Sequence, residues 1–300
     1  MLKLYLNDCT TELLQLPALA DKAVQLAVLR LDKIHPVISG NKWFKLRFYL
    51  EEALQQEKKT IVTFGGAYSN HIVATALACQ LTGFSSVGII RGERPVLLSH
   101  TLEAAQGYGM QLYFQNRRDY REKKFPADYD SATADTYIIP EGGYGKKGAD
   151  GAATIMDYCK QQAFTHICCA AGSGTTMAGL VKAATHQQQV LGISVLKNNF
   201  ALFDEIKNLL TDSEKEKNFR LLQDYHFGGY AKYTTALITF MNNFFLSTGL
   251  PTDFVYTGKL FYAILDMLQK DFFPPGSKIL VIHSGGLQGN QSLPAGMLAF

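Results

Sequence analysis

Two lysines lie three residues apart directly behind a turn, in the stretch SGNKWFKL of residues 39–46. Ser39, Gly40 and Asn41 favour a turn, and the residues that follow predict an amphipathic helix with Lys42 at its head. A lysine amine in such a position can bond covalently to an aldehyde cofactor. Most lysines in a first helical turn are simply exposed to solvent, so this chemistry needs support from other parts of the chain.

Two polar corners follow apolar stretches that predict strands. In TFGGAYSNH, residues 63–71, Ser69 and Asn70 lie where a helix would begin, either as ordinary helix caps or as ligands of an oxygen-rich group. In LVIHSGGLQGN, residues 280–290, a strand leads into a Ser-Gly-Gly turn, and His283 is predicted to be a satisfied core histidine. Ligands of parallel α/β sheets bind at the carboxyl ends of strands, so both corners are candidate site positions.

A third corner, CCAAGSGTTMAGL of residues 168–180, has the composition of a phosphate cradle. Backbone N–H groups and hydroxyls at a helix N-terminus bind phosphate well, and here they come from Gly172, Ser173, Gly174, Thr175 and Thr176. The corner lacks the lysine of a nucleoside-triphosphate loop and the third glycine of a dinucleotide fingerprint. It also has Ala171 where a serine-hydrolase elbow has glycine. The phosphate therefore belongs to a small cofactor.

A lysine behind a turn, a phosphate loop without a nucleotide motif and polar residues at three strand ends together suggest pyridoxal 5'-phosphate (PLP). This aldehyde cofactor needs an amine to hold it, a polar nest for its phosphate and a partner for its ring nitrogen.

The elements that must position these residues alternate along the chain. Apolar runs such as KKTIVTF and FTHICCAAG are each followed by a helical pattern, which predicts an α/β fold with parallel sheets covered on both faces. One segment of low hydrophobicity, residues 115–135, predicts a long solvated connection or surface loop.

Composition narrows the class of partner. The chain has 300 residues, 47% apolar content and a net charge of +3, without a basic run, so neither nucleic acid nor a membrane surface is an expected partner. Five cysteines without C-x-x-C spacing favour reduced thiols and a cytoplasmic location. No metal site is predicted, and a small molecule is the expected ligand.

The sequence resembles a known family, the PLP-dependent enzymes of the tryptophan-synthase β-like fold (fold type II). Within that family it is similar to the 1-aminocyclopropane-1-carboxylate (ACC) deaminases and D-cysteine desulfhydrases. The motifs that carry the resemblance are SGNKWFKLRFYLEEAL, FGGAYSNHIVATALA, GSGTTMAGL, TDFVYTGK and VIHSGG, and they occur in order over nearly the whole chain.

The resemblance implies a role for each matching position. Lys42 corresponds to the lysine that holds the cofactor and takes the α-proton, and Lys45 to the second lysine of the motif. Asn70 would bond the phenolic oxygen of the cofactor, and Ser69 would hold the substrate carboxylate or lie beside the reacting carbon. Gly172, Ser173, Gly174, Thr175 and Thr176 would bind the phosphate.

Two tyrosines and two hydroxyl residues complete the implied site. Tyr256 corresponds to a tyrosine that faces the substrate, whereas Tyr230 has the spacing of a second one but is equally explained by core packing. Thr257 replaces the glutamate that ACC deaminases place at the pyridine nitrogen, and Ser284 replaces their leucine. Phe44 stands where the motif usually has arginine.

Hydroxyl residues at 257 and 284 are similar to the desulfhydrase pattern. We therefore expect a PLP-dependent lyase that converts a small D-amino acid such as D-cysteine to pyruvate, ammonia and sulfide. ACC deaminase, a D-serine dehydratase or racemase of the same fold, and a non-catalytic sensor of PLP or amino acids are the alternatives.

The same resemblance implies the domain organisation. A large PLP-binding domain would consist of residues 1–46 and 156–300, a small domain of residues 47–155 would be inserted into it, and the cofactor would lie in the cleft between them. The expected assembly is a homodimer.

Overall fold

The computed structural model describes residues 9–16, 19, 22–129, 134–159 and 163–300. Within these residues two sheets carry the helices. The strands are β1 (Thr11–Leu13), β2 (Gln25–Arg30), β3 (Thr60–Gly65), β4 (Ser85–Arg91), β5 (Met110–Gln115), β6 (Thr136–Ile139), β7 (His166–Ala171), β8 (Gln189–Ser194), β9 (Phe219–Leu222) and β10 (Lys278–His283). The helices are α1 (Asn41–Gln55), α2 (Asn70–Thr82), α3 (His100–Gly107), α4 (Arg117–Arg121), α5 (Lys146–Ala153), α6 (Thr175–Ala183), α7 (Leu202–Lys207), α8 (Asp212–Lys215), α9 (Thr235–Thr248) and α10 (Thr257–Gln269).

The larger sheet has the strand order β1-β2-β10-β7-β8-β9 and the smaller one β5-β4-β3-β6. Every pair in both sheets is parallel except β1 with β2. The predicted α/β class with parallel sheets is therefore confirmed. The prediction rested on continuous apolar strands such as TIVTFG and KILVIH, which are buried along nearly their whole length because helices cover both faces.

The core of the larger sheet divides between its two faces. Cys168 packs in a cluster with Phe261 of α10, whereas the next residue, Cys169, packs in a cluster with Met177 of α6. Successive strand residues point to opposite faces, so the two cysteines serve two separate helix layers. Fully burying a side chain such as Phe261 stabilises the fold by about 1.5–3 kcal/mol.

The strands deliver the polar corners to one region. β7 and β10 are parallel neighbours, with Val281 in register with Cys168, so the corners that follow them lie at the same edge of the larger sheet. Gly65 ends β3 in the smaller sheet, and its corner leads into α2.

Several elements differ from the sequence prediction. Residues 115–135 contain the short helix α4 rather than loop alone, because Asn116 caps it by accepting from the backbone N–H groups of Arg118 and Asp119. Residues 130–133 of that segment lie outside the described residues, as do residues 1–8 and 160–162. The domain boundaries stay a prediction, and α1 continues without a break past the predicted boundary between residues 46 and 47.

In the part of the chain that the structure describes, no helix is both long and apolar enough to span a membrane.

Candidate active site

A cavity of about 730 Å³ lies where β3, β7 and β10 end. Most residues predicted from the sequence to form the site line it together. They are Lys42, Lys45, Ser69, Asn70, Gly172, Ser173, Gly174, Thr176, Tyr230, Tyr256 and Ser284. Thr175 and Thr257, also predicted, are fully buried and are not part of the lining.

Two interlocked turns fix the start of α1. Gly40 has φ of +65°, and a Cβ there would lie 1.7 Å from the Ser284 carbonyl oxygen. On the opposite turn, a Cβ at Gly285 would lie 2.1 Å from Ser39 Oγ. Only glycine permits these approaches, and the Asn41 N–H donates to the same Ser284 oxygen at 3.4 Å. The glycine before Lys42 therefore locks the head of α1 against the turn after β10.

Lys42 is a half-buried lysine whose amine has a restrained position. Its Nζ donates to Asn41 Oδ1 at 2.6 Å and lies 5.7 Å from the centroid of the Tyr256 ring. Burial lowers the pKa of Lys42 to about 8, although the Asp253 carboxylate acts to raise it. A lysine with this pKa has far more neutral amine near pH 7 than an ordinary lysine, and the neutral amine is the nucleophile.

Asn41 connects the lysine to the phosphate loop. Its Oδ1 accepts from Lys42, and its Nδ2 donates to Thr176 Oγ1 at 2.6 Å. The N-termini of α1 and α6 are thus joined through one side chain, which holds the amine at a fixed position relative to the loop.

The phosphate loop enters α6 through Gly174, whose φ of +75° is left-handed. Ser173 Oγ and Thr175 Oγ1 lie 3.1 Å apart, so the hydroxyls converge at the N-terminus of the helix. A Cβ at Gly172 would lie 3.2 Å from Cε1 of Tyr256, which shows how closely that ring approaches the loop. The cradle has the donors and the helix dipole that a phosphate requires.

Lys45 brings an amine to the phosphate loop, which has no lysine of its own in sequence. Its Nζ donates to Gly142 O at 3.3 Å and to Ser173 Oγ at 3.4 Å. Burial, followed by the nearby charge of Lys42, lowers the pKa of Lys45 to about 7. A bound dianion would favour the charged amine, so this lysine is suited to a phosphate even though it comes from α1.

The first corner presents buried polar atoms to the cavity. Ser69 caps α2 by accepting from the Ile72 N–H at 3.4 Å, and the next residue, Asn70, has its Oδ1 buried without a hydrogen bond. A buried amide oxygen without a partner is unusual, and this one belongs to a residue that lines the cavity, where a ligand can reach it.

His71, which the sequence prediction did not include, lies beside Asn70 on the wall. Thr63 Oγ1 donates to Ile139 O at 2.8 Å, so it accepts from His71 Nε2, 2.8 Å away, and the network assigns the proton to that nitrogen. Nδ1 is left buried without a partner. Burial and the charges of Lys45 and Lys42 lower the pKa of His71 to about 3, so His71 is a neutral acceptor.

Tyr256 and Thr257 stand at the start of α10 around a buried carboxylate that the sequence prediction missed. Asp253 accepts from the N–H groups of Val255, Tyr256 and Thr257 and from Thr257 Oγ1, at 2.7–2.9 Å. Burial raises the pKa of Asp253, while these hydrogen bonds act to lower it. The hydroxyl of Thr257 is thus engaged by Asp253, behind the cavity wall.

The two tyrosines face each other across the cavity. The rings of Tyr230 and Tyr256 are 6.1 Å apart at 72°, in an edge-to-face arrangement. Tyr230 is 43% exposed and lines the cavity, so it is not a core residue. Burial raises the pKa of Tyr256 well above its ordinary value, which keeps its phenol protonated.

A buried lysine holds the turn that carries Tyr230. Lys259 of α10 donates from Nζ to His226 O at 2.8 Å and to Gly229 O at 2.7 Å, and its side chain is fully buried. His283 is buried as predicted, with Nε2 2.7 Å from Pro251 O, so its role is structural.

Comparison with known proteins places this geometry in a family. The family model described as "Pyridoxal-phosphate dependent enzyme" matches residues 5–285. A protein of Pyrococcus furiosus named "Putative 1-aminocyclopropane-1-carboxylate deaminase" is 30% identical over 84% of this chain and 82% of its own. An Arabidopsis thaliana protein named "Bifunctional D-cysteine desulfhydrase/1-aminocyclopropane-1-carboxylate deaminase, mitochondrial" is 29% identical over 91% and 75%. A solved structure described as an ACC deaminase homologue superposes with a TM-score of 0.79 and 25% identity, over 96% of this chain and 92% of that chain. The resemblance found in the sequence and its fold type are thereby confirmed.

Proposed function

Since the chain belongs to the family of pyridoxal-phosphate-dependent enzymes, we propose that it is a lyase that acts on a small D-amino acid and releases a β-leaving group. With D-cysteine and water, the products are pyruvate, ammonium and hydrogen sulfide. The C–S bond breaks with its electron pair on sulfur, the α-proton leaves carbon, and water replaces nitrogen as the three-carbon product is released.

The cofactor is PLP, and the described residues fit it. Lys42 offers an amine that is readily neutral, the N-terminus of α6 offers hydroxyls with Lys45 beside it, and Asn70 offers a cavity-lining amide whose Nδ2 can donate. These are the groups that an aldehyde, a phosphate and a phenolic oxygen need. When bound, the cofactor supplies an electron sink for negative charge at the substrate α-carbon.

Each residue has a defined task in this proposal. Lys42 would hold the cofactor, and its free Nζ would take the α-proton of the substrate. Asn41 orients that amine, because its Oδ1 accepts from Nζ at 2.6 Å. The protonated phenol of Tyr256 donates to the departing sulfur, and Ser69 holds the substrate carboxylate.

The remaining predicted contacts follow the same scheme. Ser173, Gly174 and Thr176 would bind the phosphate with Gly172, and Ser284 lines the same cavity. Thr175 would contribute its backbone N–H at the start of α6, and Thr257 would act through Asp253, to which its hydroxyl donates.

One observation carries the proposal. The hydrogen bonds from Lys42 to Asn41 and from Asn41 to Thr176, both 2.6 Å long, connect a nucleophilic amine to a phosphate cradle within one cavity. PLP chemistry needs these two features together.

ACC deaminase is the second candidate, because relatives carry that name. With threonine at 257, where that subgroup has glutamate, this position brings no carboxylate to the cavity. That favours elimination from D-cysteine, since expelling a thiolate needs a weaker electron sink than opening a cyclopropane. The buried Asp253 carboxylate bonded to Thr257 is the feature through which ring opening could still be supported.

Product analysis of the PLP-loaded protein distinguishes these functions. We expect pyruvate and sulfide from D-cysteine, with little 2-oxobutyrate from ACC in a parallel reaction. Products from ACC alone would reject the desulfhydrase assignment and retain the cofactor and fold.

We further propose that the enzyme acts in the cytoplasm and forms a homodimer. In each chain, residues 1–46 and 156–300 would form the large domain and residues 47–155 the small one. The buried, reduced Cys79, Cys159, Cys168 and Cys169 support the location. Sedimentation equilibrium measures the assembly directly, and a mass of one chain, 33.2 kDa, would reject the dimer.

A further inference from the structure

A second cavity, of about 580 Å³, adjoins the candidate active site. We call it the basic pocket, and its lining consists of Arg91, Arg117, Tyr120, Arg121, Lys123 and Glu141. Arg91 and Glu141 also line the active-site cavity, so the two spaces share a wall. The smaller sheet builds this arrangement, because Arg91 ends β4 in register with Gln115, which ends β5 just before α4.

The charge of the basic pocket is concentrated and largely uncompensated. Four cationic side chains line it with one carboxylate, Glu141, which Lys123 already binds at 2.6 Å. Arg91, Arg117 and Arg121 form no ion pair with any residue that the structure describes. The whole chain has a net charge of only +3, so general basicity does not explain three unpaired guanidinium groups around one cavity.

Tyr120 adds a second observation that points to a ligand. Its side chain lines the pocket and is 3% exposed, and its hydroxyl is buried without a hydrogen bond. Burial and the Glu141 carboxylate raise the pKa of this phenol, so it remains a proton donor; the carboxylate lies near enough to interact with the hydroxyl but outside normal hydrogen-bond geometry. A buried donor among guanidinium groups is the arrangement that an oxyanion completes.

Arg91 connects the basic pocket to the loop that would hold the substrate. Its Nη2 lies 3.5 Å from the position of a Cβ on Gly66, in the corner that leads to Ser69. An anion bound by Arg91 would therefore lie beside the loop proposed to bind the substrate α-carboxylate.

We propose that the basic pocket binds a second anionic group, a carboxylate, sulfonate or phosphate, carried on the leaving group of the substrate. The inference rests on the proposed function and narrows its substrate class to S-substituted D-cysteines with an acidic end. For S-(carboxymethyl)-D-cysteine the C–S bond at the β-carbon breaks, and mercaptoacetate leaves with the electron pair and gains a proton. With one water, the remaining three carbons and nitrogen give pyruvate and ammonium.

A matched pair of substrates tests the charge requirement. S-(carbamoylmethyl)-D-cysteine has nearly the same shape as S-(carboxymethyl)-D-cysteine but a neutral end. For the holoenzyme we expect kcat/KM to be about tenfold higher for the acidic substrate, mainly through KM, as for a charge-assisted contact. In the variant Arg117→Gln/Arg121→Gln this ratio should fall towards one, and comparing two substrates on the same enzyme cancels any general loss of activity.

Arg118→Gln is the control, since Arg118 is on the same helix and is exposed like Arg117 and Arg121, but it lies outside the lining. It should keep the ratio of the wild type. Equal values of kcat/KM for the two substrates in the wild type would overturn the proposal. So would a decrease of the substrate ratio in Arg118→Gln as large as in Arg117→Gln/Arg121→Gln.

Calorimetry with inorganic sulfate provides a readout independent of turnover. Binding to the holoenzyme should weaken at least about tenfold in Arg117→Gln/Arg121→Gln and not in Arg118→Gln. If sulfate binds at the pocket but kcat/KM is the same for the two substrates, the pocket binds an anion that is not part of the substrate. That result would overturn the substrate proposal. If D-cysteine is not turned over, the proposed function fails, and unchanged sulfate binding in the double variant would then reject the pocket as well.

Discussion

Replacing Lys45 by methionine tests whether this lysine is the cation of the phosphate loop. The substitution keeps the length of the side chain and removes the charge 3.4 Å from Ser173 Oγ. With its pKa lowered to about 7, Lys45 is partly neutral at pH 7, and recharging it costs under about 1 kcal/mol. A charge-assisted contact contributes about 1.5–3 kcal/mol, so the net loss is about 1–2.5 kcal/mol, or about 5- to 70-fold in Kd.

The suitable ligands are pyridoxine 5'-phosphate and pyridoxine, which lack the aldehyde and cannot bond covalently to Lys42. We expect Lys45→Met to weaken only the phosphorylated ligand, as measured by calorimetry. Phosphate binding favours the charged form of a lysine whose pKa is lowered, so the wild-type affinity should decrease as pH rises from about 7 to about 9. This decrease should be smaller in the variant.

Lys59→Met is the control, because Lys59 is an exposed residue whose Nζ pairs with Asp135. It should leave both affinities unchanged. Equal losses for pyridoxine and its phosphate in Lys45→Met would refute the assignment, since they would show a general disturbance of the cavity.

Three further predictions follow from the same contacts. Covalent capture of PLP should rise with pH around the Lys42 pKa of about 8, followed by absorbance, and a midpoint near the ordinary 10.5 would contradict the burial argument. Lys259→Met removes the donor to two turn carbonyls and should raise KM severalfold, because Tyr230 is then held less firmly. The free energy of unfolding, measured by chemical denaturation, should fall by about 1–3 kcal/mol. An unchanged KM would show that the turn is held without Lys259. Gly40→Ala forces a Cβ to within 1.7 Å of Ser284 O. The free energy of unfolding should fall by more than about 1 kcal/mol, and PLP should bind more weakly. Wild-type values for both would mean that the turns at Gly40 and Gly285 separate easily.

The sequence predicted those parts of the site that depend on local pattern. Apolar strands ending in glycine and hydroxyl residues indicated where a phosphate could bind, and the turn before Lys42 indicated a held amine. These features are determined by backbone geometry within a few residues, so a short stretch such as GSGTT is sufficient to predict them.

The remaining parts depend on contacts between distant segments. Lys45 reaches Ser173 across 128 positions, and Lys259 reaches Gly229 across 30. Asp253 was missed because an acidic residue before a helix is typical of an ordinary cap, and only the fold shows it to be fully buried and bonded to Thr257. The basic pocket was missed because residues 115–135 were predicted to be a loop, whereas α4 presents Arg117 and Arg121 to one cavity.

The central claim is that a PLP site is built around Lys42 at the junction of α1 and α6. Borohydride reduction of the PLP-loaded protein fixes the cofactor to its lysine, and fragment mass spectrometry then identifies the residue. We predict one cofactor per chain on Lys42, and none on Lys45 even in the variant Lys42→Ala. Cofactor on Lys45 in the wild type, or on no residue in the stretch 39–46, would contradict it.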